Sequence, residues 1–171
     1  MMSSSPAKPL IIMSNSAKGM WYWISAWGPV ALGVAVIAVE SQEFMGSDHT
    51  SSLFRPLYQA IFGHVSDARW EILHHHIRKC GHFTGYGLIG LAWLHAWWKT
   101  LPHSNFFRDA VLALLGTAVI ASGDELHQRF LPNRTGTPVD VMIDCSGAIV
   151  LQLLVYLYLR IFQPRKLRPD A

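Results

Sequence analysis

The apolar run Ala110–Gly123 is 14 residues long, and the stretch after it, Asp124-Glu125-Leu126-His127-Gln128-Arg129-Phe130-Leu131-Pro132-Asn133-Arg134, is dense in polar groups. A helix of that length covers roughly 21 Å, short of the roughly 30 Å hydrocarbon core of a bilayer. To finish a crossing, the helix has to carry Asp124, Glu125 and Gln128 to membrane depth. Ionisable groups there cost about 2.5–3.5 kcal/mol each on insertion scales, so they are rare and mark a site by default.

A bilayer is the expected solvent because the chain is 51% hydrophobic and only 15% charged, where a soluble domain carries about 25% charge. Seven Trp and a mean hydropathy of +0.24 point the same way. The formal charge of +3 is too small and too scattered for a nucleic-acid partner. Cys80 and Cys145 form no framework, CxxC motif or zinc spacing. They are expected as buried thiols, with a disulfide between them the minor alternative.

Four apolar segments are expected to cross: Met20–Val39, Cys80–Trp98, Phe107–Gly123 and Val141–Phe162. The expected fold is all-α, a polytopic four-transmembrane-helix bundle. Residues 1–18 are Ser-rich with Lys8 and Lys18 and are expected to be a disordered cytosolic tail. A signal peptide fits less well, because Met20–Val39 outruns an h-region and no A-x-A site follows it. Residues 19–163 make the membrane domain, and residues 164–171 a basic cytosolic tail. With an even number of crossings, the N-tail, middle loop and C-tail share a side. They hold eight Lys/Arg and two acids, against six and nine on the other side. Positive charge stays inside, so both termini are expected in the cytoplasm of a multi-pass cell-membrane protein.

The stretch Glu40–Arg78 is then an external loop of 39 residues, too long to lack structure. Leu53, Phe54, Leu57, Tyr58, Ile61 and Phe62 recur at helical spacing, as in an amphipathic helix lying at the membrane interface. Ser66 is placed to cap the next helix, which can run unbroken from Asp67 through the second crossing. The tract His74-His75-His76 cannot put three rings on one ion, since neighbours on a helix point about 100° apart, and it reads as a solvated face. Trp93, Trp97 and Trp98 read as interfacial anchors, and Gln152 as an interhelical hydrogen-bond donor.

The polar residues converge on one end of this bundle. Lys79, His82 and Tyr86 lie at i, i+3 and i+7 on one face of the second crossing. Asp124 and Gln128 are four apart on the third crossing, with Glu125 one step around. Asp140 and Asp144 are four apart on the fourth, and Arg134 sits in the turn between the third and fourth. Thr137 and Pro138 form a cap and first position for the fourth helix. Buried charges of this kind must pair; Arg134–carboxylate and Lys79–Glu125 are two natural pairings, and the sequence leaves the choice of partners open. Gly81, Gly85, Gly87, Gly90, Gly116, Gly123 and Gly147 are expected to let helices approach closely.

Lys79-x-x-His82-x-x-x-Tyr86, then Asp124-Glu125-Leu126-His127-Gln128-x-Phe130-x-Pro132-x-Arg134 and Asp140-x-x-x-Asp144-x-x-Gly147, resemble the signatures of the VanZ-like family. The resemblance covers roughly Trp21 to Phe162 and implies a small multi-helix membrane protein, in a family whose named member confers low-level resistance to the glycopeptide teicoplanin. The chain departs from the family in carrying Asp144 where many members have Asn, which adds an acid to the site.

The residues and the resemblance together make Lys79, His82, Tyr86, Asp124, Glu125, Gln128, Arg134, Asp140 and Asp144 the expected ligand-binding set. The expected ligand is the polar head group of an envelope lipid or cell-wall precursor, with Lys79 and Arg134 holding its phosphate or carboxylate. An enzyme is the less favoured reading; its acid–base candidates are Glu125, His82 and Asp124. No cofactor or metal is expected, although Asp140, Asp144, Glu125 and His82 are the residues that would hold a divalent ion. A purely structural ion-pair lock is the third reading. Sequence leaves the oligomeric state open.

Overall fold

The computed structural model describes residues 19–42, 46–102, 105–131 and 136–167. The described residues are all-α: α1 (Met20–Glu40), α2 (Ser47–Phe62), α3 (Asp67–Thr100), α4 (Phe106–Gln128) and α5 (Pro138–Phe162), followed by a short 3-10 turn, Pro164–Leu167. The tail before Gly19, and His103 and Arg134, lie outside the described residues.

Three helices, α1, α4 and α5, are long and apolar enough to cross a membrane. The four-crossing expectation therefore holds for three. The fourth, Cys80–Trp98, is the apolar half of α3, which falls below the hydropathy of a span because it holds four Gly, three Trp, two His and a Tyr. Its position accounts for that composition. α3 is the central helix and packs against α1, α4 and α5, so much of its surface meets protein and need not match lipid. As expected from Ser66 at the cap and Asp67 in the first turn, α3 runs unbroken for 34 residues.

Close approach of α3 and α5 depends on absent side chains. A Cβ on Gly147 would stand 2.0 Å from the Phe83 carbonyl oxygen, and one on Gly90 would stand 2.6 Å from Ala148 Cβ. Gly81 and Gly85 behave otherwise than expected: a Cβ on either meets nothing within 4 Å. They line a groove rather than a helix contact. Two apolar clusters fill the bundle, one around Tyr86, Ile89 and Ala121 and one around Leu94, Phe106 and Ala113.

α1 is tied to α3 at the end away from the acids. Pro29 has no N–H, which frees the Ser25 carbonyl four residues back, and His95 Nε2 donates to that oxygen at 3.1 Å. Lys99 Nζ donates to Ser25 Oγ at 2.5 Å. The tryptophans belong to this contact: the Trp27 ring meets Trp93 and Trp97 edge-on at centroid distances of 5.6 and 4.8 Å. Trp93 and Trp97 are thus packing residues between helices rather than a fringe.

α2 leaves Leu53, Phe54, Leu57, Ile61 and Phe62 exposed on one face. Its other face is fixed to α3 by polar contacts. Arg55 pairs with Asp67 at 2.5 Å, and Trp70 Nε1 donates to Ser51 Oγ at 2.6 Å. Thr50 Oγ1 is hydrogen-bonded to His74 Nε2 at 3.1 Å. The histidine tract is therefore not one solvated face: His74 is buried and stacked on Trp70, while His75 and His76 are exposed.

Candidate functional site

The capping signals set the site. Asp140 N donates to Thr137 Oγ1 at 3.2 Å with Pro138 as the first helical residue, as expected. That start puts Asp140 and Asp144 one turn apart, on the side of α5 that faces α3. α4 continues past its apolar run to Gln128 and carries Asp124, Glu125 and Gln128, all buried.

One face of α3 meets these acids in sequence. Lys79 Nζ pairs with Asp140 Oδ1. His82 Nδ1 stands 3.5 Å from Asp144 Oδ1, and the Tyr86 hydroxyl donates to Asp124 Oδ2 at 2.8 Å. The expected Lys79–Glu125 pair is not formed. Lys79 is taken by Asp140, and Glu125 Oε2 accepts the Thr137 N–H at 2.8 Å instead. Arg134 lies outside the described residues, and its expected pairing with a carboxylate lies there with it.

These groups surround a cavity of about 270 Å³ lined by Arg78, Lys79, His82, Glu125, Gln128, Asp140 and Asp144, with Ser47 and His75 at its rim. Asp124 and Tyr86 line a small adjoining pocket with His82 and Gln128. A third cavity, an apolar groove of about 560 Å³ between α1, α2 and α3, runs along Leu32, Val36, Phe54, Gly85, Leu88 and Ile89, and shares Arg78 and His82 with the polar chamber. Sequence reasoning missed Arg78, which lies one turn before His82 on the same face. Among the described residues it makes no hydrogen bond or ion pair, so its guanidinium is available to both cavities.

Balance is lacking at the chamber floor. Asp144 is fully buried, yet neither of its carboxylate oxygens has a hydrogen-bond partner, nor does His82 Nδ1. Side-chain donors of His82, Glu125 and Asp144 all lie within 4.8 Å of one another. The interhelical bond expected of Gln152 is not formed: the residue is buried, but its amide nitrogen has no acceptor. Cys80 and Cys145 are free thiols as expected, but Cys80 is exposed and Cys145 half-buried rather than both buried. His127 bonds Ser41 at 2.9 Å, joining the ends of α4 and α1.

No curated protein and no solved structure matches the chain. A family model does: VanZ/LLP1 matches residues 21–161, a span that takes in α1 to α5 and every acid and base of the chamber. The Lys-His-Tyr face of α3, the Asp-Glu pair of α4 and the two aspartates of α5 meet around the polar chamber and its small adjoining pocket within that span, and the chain belongs to the VanZ/LLP1 family.

Proposed function

We propose that the chain binds the phosphate-bearing head group of an envelope lipid or lipid-linked cell-wall precursor in the polar chamber, with the lipid tail in the apolar groove. In this reading α3 crosses the bilayer with α1, α4 and α5, and the chamber opens at the outer leaflet. α2 rests at the interface with its apolar face in lipid, and both termini are cytoplasmic. Arg78 supplies the fork for a phosphate and Lys79 a point charge beside it. His82, Gln128 and Tyr86 orient the head group. Arg134 stays in the set on its motif alone. Protection against a glycopeptide such as teicoplanin would follow if the sequestered lipid is a cell-wall precursor, but membership in the family does not fix it.

The observation that carries this reading is the sharing of Arg78 and His82 by a polar chamber and an apolar groove. An ion-pair lock needs neither cavity. Native mass spectrometry of delipidated protein offered phosphatidylglycerol or diacylglycerol tests it. The phosphate lipid should be retained and the neutral one lost. Arg78→Ala should weaken retention about ten- to hundredfold, the worth of one charge-assisted contact of about 1.5–3 kcal/mol. Gly85→Leu, which fills the groove where a Cβ meets nothing, should weaken retention of phosphatidylglycerol through its tail. Equal retention of the two lipids, or full retention by Arg78→Ala, refutes the proposal.

A further inference from the structure

We infer that the chamber floor is a site for one divalent transition-metal ion, held by His82, Glu125 and Asp144. Three observations meet there. The three donors lie within 4.8 Å of one another. Three donors around a tetrahedral metal, each about 2.0–2.2 Å from it, sit about 3.3–3.6 Å apart, so the set closes when the donors draw in by up to about 1 Å each. Asp144, fully buried with no hydrogen bond to either oxygen and only His82 Nδ1 nearby at 3.5 Å, lines the chamber. A buried carboxylate is normally paired or bound to metal. Of the two permanent cations lining the chamber, Lys79 is committed to Asp140, and Arg78 makes no ion pair with Asp144 among the described residues.

The neighbours prepare the site. Thr137 N–H holds Glu125 Oε2 at 2.8 Å, in the manner of the outer bonds that orient ligands. The Tyr86 hydroxyl engages Asp124 Oδ2 at 2.8 Å, and Asp124 stands outside the three-residue cluster. One imidazole with two carboxylates suits Zn²⁺ or Mn²⁺ better than Mg²⁺ or Ca²⁺, which favour all-oxygen sites. Asp140, a candidate ligand on sequence grounds, drops out because of its lysine.

An ion here resolves a conflict in the chamber. Glu125 and Asp144 would repel a phosphate, whereas a divalent ion offsets both and leaves a coordination position facing the cavity. That bridging role rests on the lipid reading above; the metal site itself does not.

The test uses metal alone. Full-length protein with no affinity histidines, stripped with chelator in detergent, is titrated with Zn²⁺ or Mn²⁺ by calorimetry and checked by elemental analysis. One equivalent should bind. Asp144→Asn and Glu125→Gln should each lower affinity more than about hundredfold, beyond the usual outer-bond effect, while His76→Gln on the exposed side of α3 leaves it unchanged. Should those variants fail to fold, X-ray absorption of the zinc-loaded wild type decides, because the shell should contain a single imidazole with oxygen donors. The inference is overturned by no uptake in folded wild type, by uptake that both variants preserve, or by several imidazoles, which would place the ion on the His74–His76 tract. Metal failure would leave the lipid proposal standing, and lipid failure would leave the metal site standing.

Discussion

Tyr86 and Asp124 show how single residues hold this site. Both are buried, and the hydroxyl gives Asp124 Oδ2 its bond while Oδ1 has none. Tyr86→Phe removes that donor and strands the carboxylate, at a cost of about 1.5–3 kcal/mol read as a lower thermal midpoint in detergent. Adding Asp124→Asn should return part of the loss, giving a coupling of about 0.5–3 kcal/mol; strict additivity would show that the bond carries no energy. The faces were legible in the spacing of Lys79, His82 and Tyr86 and of the four acids. Partners were not. Each acid lies within a turn of another, so helix rotation and the Thr137 cap decide which one a cation reaches. Arg78 escaped because the motif draws attention to Lys79, although its four-residue spacing from His82 was in view.

The element that bears a pH signal is α2. Its helical spacing was readable, but its docking was not, because it depends on the burial of one histidine in a tract of three. His74 has its pKa lowered from 6.5, by burial first and by nearby Arg78 second. It lies on α3 before the apolar half that we read as a crossing. A lowered histidine pKa means that the undocked state takes the proton more readily. The docking that neutral His74 supports is complete above about pH 6.5 and is lost as pH falls. Hydrogen exchange of residues 47–62, corrected for intrinsic rates, should quicken between about pH 7.5 and 5.5. His74→Phe keeps a ring for Trp70 to stack on but cannot protonate, so it should abolish the pH dependence. The continuous course of α3 was also legible from Ser66 and Asp67. Its low hydropathy follows from central packing, which no local pattern reports.

The bundle as a whole hangs on the α3–α5 seam, where Lys79–Asp140 and His82–Asp144 both sit. Gly147→Ala places a methyl against the Phe83 backbone, which cannot move aside as a side chain would. The helices must separate, at about 1–3 kcal/mol or more. Gly123→Ala on α4 meets nothing within 4 Å and should stabilise by up to about 1 kcal/mol through helix propensity. Thermal unfolding of the two variants in one detergent should therefore shift in opposite directions. The apolar groove adds one more consequence, through its flank. Leu32 and Leu88, 67% and 59% exposed, line it. A guest would slip in sideways from the surrounding leaflet without crossing water. Occupancy would then follow the guest's mole fraction among its neighbours, and even a loose grip would keep the chain filled where that guest is abundant.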